Sequence, residues 1–189
     1  MVKLNKIYTR TGDDGTTGLV DGSRVAKSSA RMALIGDVDE ANSAIGVAIA
    51  ALGSDPIVPD LTRIQNDLFD LGADFATPGD DFEFGGMTLR IVPAQVERLE
   101  REIDTMNGGL EPLRSFILPA GTPAVSALHL ARAVVRRAER SAVAAAAGMP
   151  LNPQALAYLN RLSDHLFVAA RLVASRSGGD ILWVPGGSR

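Results

Sequence analysis

Five stretches of this chain repeat apolar residues in steps of three and four, the spacing that puts them on one face of an α-helix. The first carries Val38, Ala41, Ile45, Ala48 and Leu52 and stops at Gly53. The second carries Leu61, Ile64, Leu68, Leu71 and Phe75, and Pro78–Gly79 ends it. After a polar stretch at 79–90, GDDFEFGGMTLR, which reads as a surface loop, the third opens at Pro93, carries Val96, Leu99, Ile103 and Met106, and stops at Gly108–Gly109. The fourth has Thr122 as cap and Pro123 at its first position, then Ala124, Leu128, Ala131, Val135, Ala138 and Ala142, running to Gly148. The fifth has Asn152 as cap and Pro153 next, then Leu156, Leu159, Leu166, Ala170 and Val173, and Gly178–Gly179 closes it. Short loops and narrow apolar stripes predict an all-α fold, an antiparallel five-helix bundle whose core alanines let helices approach closely.

One stretch breaks the helical pattern. IYTRTGDDGTTGLV, residues 7–20, has three glycines and four threonines. It can be a linker, a hairpin, or a backbone-and-hydroxyl cradle for phosphates. It is not a Walker A loop, because no Lys-Ser or Lys-Thr follows at the required spacing. Its glycines permit positive φ, and successive N–H groups in such a turn can form an anion nest. Asp13 or Asp14 can shape the turn or help hold a metal.

Composition narrows the classes. The chain has 189 residues, 46% hydrophobic and 22% charged, with a net charge of −3. That suits one domain, and it argues against nucleic-acid or anionic-membrane binding. No cysteine is present, which removes disulfides and thiolate chemistry and suits a cytoplasmic location. MVKLNK lacks an apolar core, so no secretory signal is expected. No apolar run approaches the roughly 20 residues of a membrane span.

The polar residues inside the helical stretches carry the candidate chemistry. RAVVRRAER holds Arg132, Arg136, Arg137, Glu139 and Arg140, with Arg132 and Arg136 one turn apart. Guanidinium forks match phosphate oxygens, while a solvated arginine face paired with Glu139 explains the same residues. Asn160, Asp164, Phe167 and Arg171 form a row on the fifth helix. Asn160 can read a nucleotide or serve as a bundle amide, and Asp164 is expected to hold an arginine. Asp37, Asp39, Glu40 and Asn42 are either first-turn acids at a helix N-terminus or, for Asp39, an arginine partner. Only His129 and His165 are present, without the Glu-x-x-His spacing of a di-iron bundle.

YTRTGDDGTTGL, Lys27, GDVDEANSAIG, FILPAGT, ARAVVRRAER and YLNRLSDHLFVAAR fall in one order over nearly the whole chain. Together they resemble the PduO-type ATP:cob(I)alamin adenosyltransferases. The resemblance implies a single domain over 1–189: an ATP-binding loop at 1–27, a helix bundle of ferritin-like up-down topology at 28–177, and a tail at 178–189. It implies a homotrimer that binds ATP between subunits and moves the 5′-deoxyadenosyl group of ATP onto the cobalt of reduced cobalamin, releasing triphosphate. Thr9, Arg10, Thr11, Gly12, Thr17 and Lys27 then wrap the nucleotide, with Mg²⁺ on the triphosphate. Arg136, Arg137, Glu139, Arg140 and Asn160 also stand at ATP. Asp39 and Arg132 correspond to an intersubunit ion pair beside the corrin. Phe116 corresponds to the aromatic on the lower axial side of cobalt, where it keeps the metal four-coordinate and easier to reduce. ILWVPGG is expected to fold against the corrin. A flavin reductase and an adenosylcobalamin-dependent enzyme are the implied partners. Two departures stand out: Arg10 replaces a common lysine, and Ala120 a common glycine. The alternative is a non-catalytic protein that senses ATP or delivers adenosylcobalamin, and a purely structural oligomer is a third reading.

Overall fold

The computed structural model describes residues 7–83, 85 and 88–187. The MVKLNK segment, Ser188 and Arg189 at the end of the expected tail, and Phe84, Gly86 and Met87 of the 79–90 stretch lie outside the described residues. Five helices form: α1 (Ala30–Leu52), α2 (Val58–Phe75), α3 (Pro93–Asn107), α4 (Pro123–Ala146) and α5 (Pro153–Ser175). The all-α expectation needs one correction. Residues Thr16–Gly18 (β1) and Arg24–Ala26 (β2) pair as a two-stranded antiparallel hairpin, Thr17 opposite Val25.

Most positions of the expected stripes form the core, while Ile103 of α3 is half-buried and outside it. Val38, Ala41, Ile45 and Ala48 of α1, all five α2 positions, and Ala124, Leu128, Ala131, Val135, Ala138 and Ala142 of α4 are buried. Thr122 and Asn152 accept N-terminal amides of α4 and α5 through their side-chain oxygens. Helix α1 starts earlier than its apolar stripe suggested: Ser29 caps it, the residues 37–42 cluster lies beyond its first turn, and the first-turn reading of those acids is wrong.

Helix α4 packs between α1 and α5, α2 lies on α1, and α3 on α5. Side-chain pairs record the directions. Asp37 meets Ser141 and Arg137 while Glu40 meets Arg137, so α1 and α4 run in opposite senses. Glu139 meets Asn160 and Arg132 meets Phe167, reversing α4 and α5 likewise. Arg31 reaches the Phe75 carbonyl while Asn42 and Gln65 exchange hydrogen bonds, reversing α1 and α2.

Between α2 and α3 the contact is polar. Asp67 and Asp74 occupy the inward face of α2, seven residues apart. Asp67 accepts from Gln95 (2.9 Å), Arg98 (2.6 Å) and the buried Tyr158 hydroxyl (3.0 Å). Burial, and then the Asp67 charge, push the Tyr158 pKa well up, so its hydroxyl stays a donor. Asp74 accepts from Arg90 (2.8 Å), the Ile91 amide (2.9 Å) and Asn152 (2.7 Å). The described residues of 79–89 form the expected loop, exposed or half-buried, and only its last residue turns inward: the Arg90 and Asp74 side chains are 3% and 1% exposed. Asn152 thus caps α5 and ties the α4–α5 loop to α2 with one side chain.

Removing one member of a buried pair strands the other charge in a low-dielectric interior. Arg90→Met is therefore expected to cost on the order of 3–5 kcal/mol, measured by urea unfolding at fixed protein concentration. Adding Asp74→Asn to it should recover part of the loss.

Candidate functional site

The opening loop adopts the hairpin alternative, and side chains pin it. Asp14 accepts from the Thr16 amide (2.9 Å) and hydroxyl (2.7 Å), and these bonds lower its pKa. Of the two aspartates, Asp14 therefore shapes the turn. Lys27 closes the loop from the far side, donating Nζ to the Gly12 carbonyl (2.8 Å) and its N–H to Gly15 (2.9 Å). A Cβ on Gly12 would stand 3.0 Å from Lys27 Nζ and 3.1 Å from the Thr16 carbonyl, so a side chain there would press on this closure. Thr9 and Thr11 share a hydroxyl hydrogen bond of 2.8 Å, and Arg10, at φ 62°, lies over Tyr8. Thr9, Arg10, Thr11, Gly12, Thr17 and Lys27 thus sit in one compact loop. Arg24, which the motif reading missed, helps hold it by donating to the Thr11 carbonyl (2.6 Å) and Thr16. Its lone position in a Gly-Ser turn gave no sequence signal. Val20 N–H bonds the Ala76 carbonyl at the end of α2, which docks the hairpin on the bundle.

The arginines of α4 divide by what already holds them. Arg137 is committed to Asp37 and Glu40 of α1, and the Glu40 contact leads the causes that raise its pKa. Glu139 accepts from the Asn160 side-chain amide (2.8 Å), whose Oδ1 accepts from Arg161 (2.6 Å). Arg140 bonds the Arg136 carbonyl of its own helix. The exposed Arg136 side chain makes no hydrogen bond or ion pair among the described residues, which leaves its fork free for an outside anion. Asp164 is exposed and holds no arginine among the described residues, contrary to expectation.

Further along, Arg132, Phe167, Phe116, Leu113, Trp183 and Pro185 line an open cleft of about 660 Å³. Phe116 is 77% exposed, and its ring centroid lies 6.0 Å from that of Trp183. The C-terminal tail pairs with the Phe116 segment: Trp183 N–H bonds the Phe116 carbonyl and Leu118 N–H the Ile181 carbonyl, both at 2.8 Å. Arg132 lies 5.9 Å over the Phe167 ring, and its Nε is buried without a partner. Burial, then the nearby Arg136 charge, push its pKa down. Behind them His129 is buried against Phe167, and burial followed by Arg132 lowers its pKa.

Asp39 stands apart. It is exposed on the α1–α2 side, where it lines a depression with Asn42, Leu68, Phe69 and Gly72. A single chain does not bring Asp39 to Arg132. No group of three or more acidic, histidine or cysteine side chains fit for a metal exists among the described residues. No helix there is long and apolar enough to cross a membrane.

Comparison with known proteins bears on this arrangement. The family model described as cobalamin adenosyltransferase matches residues 7–173. A corrinoid adenosyltransferase of Mycobacterium tuberculosis (strain H37Rv) is 52% identical over all of this chain and 97% of its own length. One from Bacillus subtilis (strain 168) is 44% identical over 93% and 91%. Among solved structures, a phenylalanine-to-alanine variant of the PduO-type ATP:corrinoid adenosyltransferase from Lactobacillus reuteri, complexed with cobalamin and ATP, superposes with a TM-score of 0.85. Its identity is 38%, covering 94% of this chain and 99% of that one.

The lowered pKa of His129 sets a sign for pH dependence. The folded state favours neutral imidazole, so its contribution is complete above the unfolded value of about 6.5 and is lost as pH falls through the lower folded value. Melting temperature should fall as pH drops from about 6.5 through the lower folded value, and His129→Gln should flatten that part of the fall in thermal scans.

Proposed function

The chain belongs to the cobalamin adenosyltransferase family, and from that premise we propose how its residues serve the reaction. ATP and cobalamin are the substrates. The lone pair of reduced cobalt attacks C5′ of ATP, a cobalt–carbon bond forms, the C5′–oxygen bond breaks, and triphosphate leaves with the electron pair.

Cobalt is the nucleophile, so the chain needs no activated side chain. Its work is positioning and charge. Thr9, Arg10, Thr11, Gly12 and Thr17 wrap the nucleotide, and Lys27, held against Gly12, keeps its ammonium at the loop mouth. Arg136 meets the growing charge on the triphosphate, in the manner of preorganised electrostatic stabilisation. Arg137, Glu139, Arg140 and Asn160 complete the ATP side, with Arg137 and Asn160 anchored by the bonds described above. Mg²⁺ enters on the triphosphate, whose oxygens serve as its ligands in the way substrate phosphates commonly do.

The observation that carries the cobalamin side is the cleft wall. An aromatic ring that stays 77% exposed at the mouth of an apolar cleft, tilted at 60° beside Trp183 and sharing the cleft wall with Arg132, fits a flat macrocycle better than it fits the interior of a protein. Phe116 there excludes water and the displaced base from the lower axial side of cobalt. Asp39 and Arg132 pair across two protomers beside the corrin; their separation within one chain supports that reading. The assembly is a homotrimer of bundles with ferritin-like up-down topology, working in the cytoplasm, with a flavin reductase supplying reduced cobalamin and an adenosylcobalamin-dependent enzyme receiving product.

Anaerobic absorbance with ATP, reductant and cobalamin should report adenosylcobalamin, with triphosphate as co-product. Phosphate or diphosphate as the sole product, or tight product binding without turnover, would overturn the enzymatic reading. Arg136→Ala should lower turnover about 10²-fold, roughly 3 kcal/mol, with helical circular dichroism unchanged. Phe116→Ala should impair the reaction from cob(II)alamin far more than ATP binding; equal losses would remove its axial role.

A further inference from the structure

Phe116 and Trp183 sit on two chain segments outside the helices. The bridge between them, with Ser115 Oγ donating to the Trp183 carbonyl (2.8 Å), sets their mutual register. Among the described residues, one helix side chain is hydrogen-bonded to both segments. Arg171 on α5 donates Nε to Asp180 Oδ2 (3.0 Å) and a terminal N–H to the Glu111 carbonyl (2.7 Å). Asp180 lies in the tail three residues before Trp183, and Glu111 lies five residues before Phe116. Arg171 therefore grips the bases of both segments at once, with its side chain only 8% exposed.

Local backbone makes the grip possible. After α5 ends at Ser175, Gly178 (φ 108°) and Gly179 (φ 88°) take left-handed conformations, and Gly179 N–H returns to the Ala174 carbonyl (2.8 Å). The chain doubles back, which brings Asp180 beside Arg171. One turn earlier on α5 stands Phe167, which lines the cleft floor with Arg132. The second oxygen of Asp180 is buried without a hydrogen-bond partner, and the Asp180 charge draws the His129 pKa upward against the larger effects of burial and Arg132.

We propose that Arg171 and Asp180 are positioning residues for the cobalamin side of the site, setting the height of Phe116 and Trp183 above the wall formed by Arg132 and Phe167. The proposal rests on the adenosyltransferase reading above. A guanidinium is needed because two acceptors, a carboxylate and a carbonyl on different segments, must be met by one rigid fork.

The chain has a single tryptophan, Trp183, so its fluorescence reports the tail directly. Arg171→Met and Asp180→Asn should each raise acrylamide quenching of Trp183 and raise KM for cobalamin about tenfold, the scale of a lost charge-assisted hydrogen bond, with KM for ATP unchanged. Arg171→Lys, which can reach Asp180 but not both acceptors, should fall between. Unchanged quenching, or equal rises in both KM values, would overturn the proposal, the latter because a merely structural role weakens both sites alike. Should Arg171→Met lose its helical circular dichroism, the milder Asp180→Asn decides. If the wild-type chain forms no adenosylcobalamin, the enzymatic reading falls, while Trp183 quenching in the variants still decides the tether.

Discussion

Helix α4 must be buried on two flanks at once, and most of the molecule follows from that. Its inward positions are Ala124, Ala131, Ala138, Ala142 and Ala145, with Leu128 and Val135 between them. Small side chains let neighbouring backbones close in, and α1 and α5 both do so. Little of the helix circumference then remains for charge. Arg132, Arg136, Arg137 and Arg140 are confined to that remainder, where Arg137 is drawn down to α1 and Arg132 lies over Phe167 of α5. Arg140 reaches only the Arg136 carbonyl of its own helix, and the Arg136 side chain alone of the four makes no hydrogen bond, ion pair or ring contact among the described residues. Packing thus sorts four similar arginines into different tasks.

The bundle was legible because its signals are periodic and local. A stripe such as Leu61, Ile64, Leu68, Leu71 and Phe75 admits one reading, and Thr122–Pro123 marks a helix start with little ambiguity. The site was legible in composition but not in geometry. That Lys27 closes on Gly12, or that Arg24 braces Thr11 and Thr16, depends on a turn whose register no periodicity announces. Asp164 meets no arginine among the described residues because adjacency on a helix face says nothing about the element opposite. The acids at 37–40 were read against a helix start that lies further upstream, at Ser29, because Gly36 breaks the apolar pattern without breaking the helix.

The polar layer between α2 and α3 escaped a hydrophobic reading by its nature. Asp67 and Asp74 stand where leucine would be expected, and each is satisfied by three donors or more from other elements. His165, also fully buried, meets Glu102 at 2.9 Å in the same layer. Such donors and acceptors match in one alignment only, whereas apolar side chains tolerate sliding. The layer therefore specifies which residues of α2 face α3, α5 and the 90–91 segment, and the apolar remainder supplies the adhesion.

That alignment limits how lineages of this chain can vary in length. Gaining or losing one residue between Asp67 and Asp74 would rotate everything beyond it by about 100° around the helix axis, turning one carboxylate toward solvent while Arg90 stayed inside. The connector at 53–57 and the stretch at 79–85 carry no such phase relation. Natural insertions and deletions should accumulate there and spare α2, so that the spacing of two aspartates, more than the identity of any leucine, keeps the ruler of the fold.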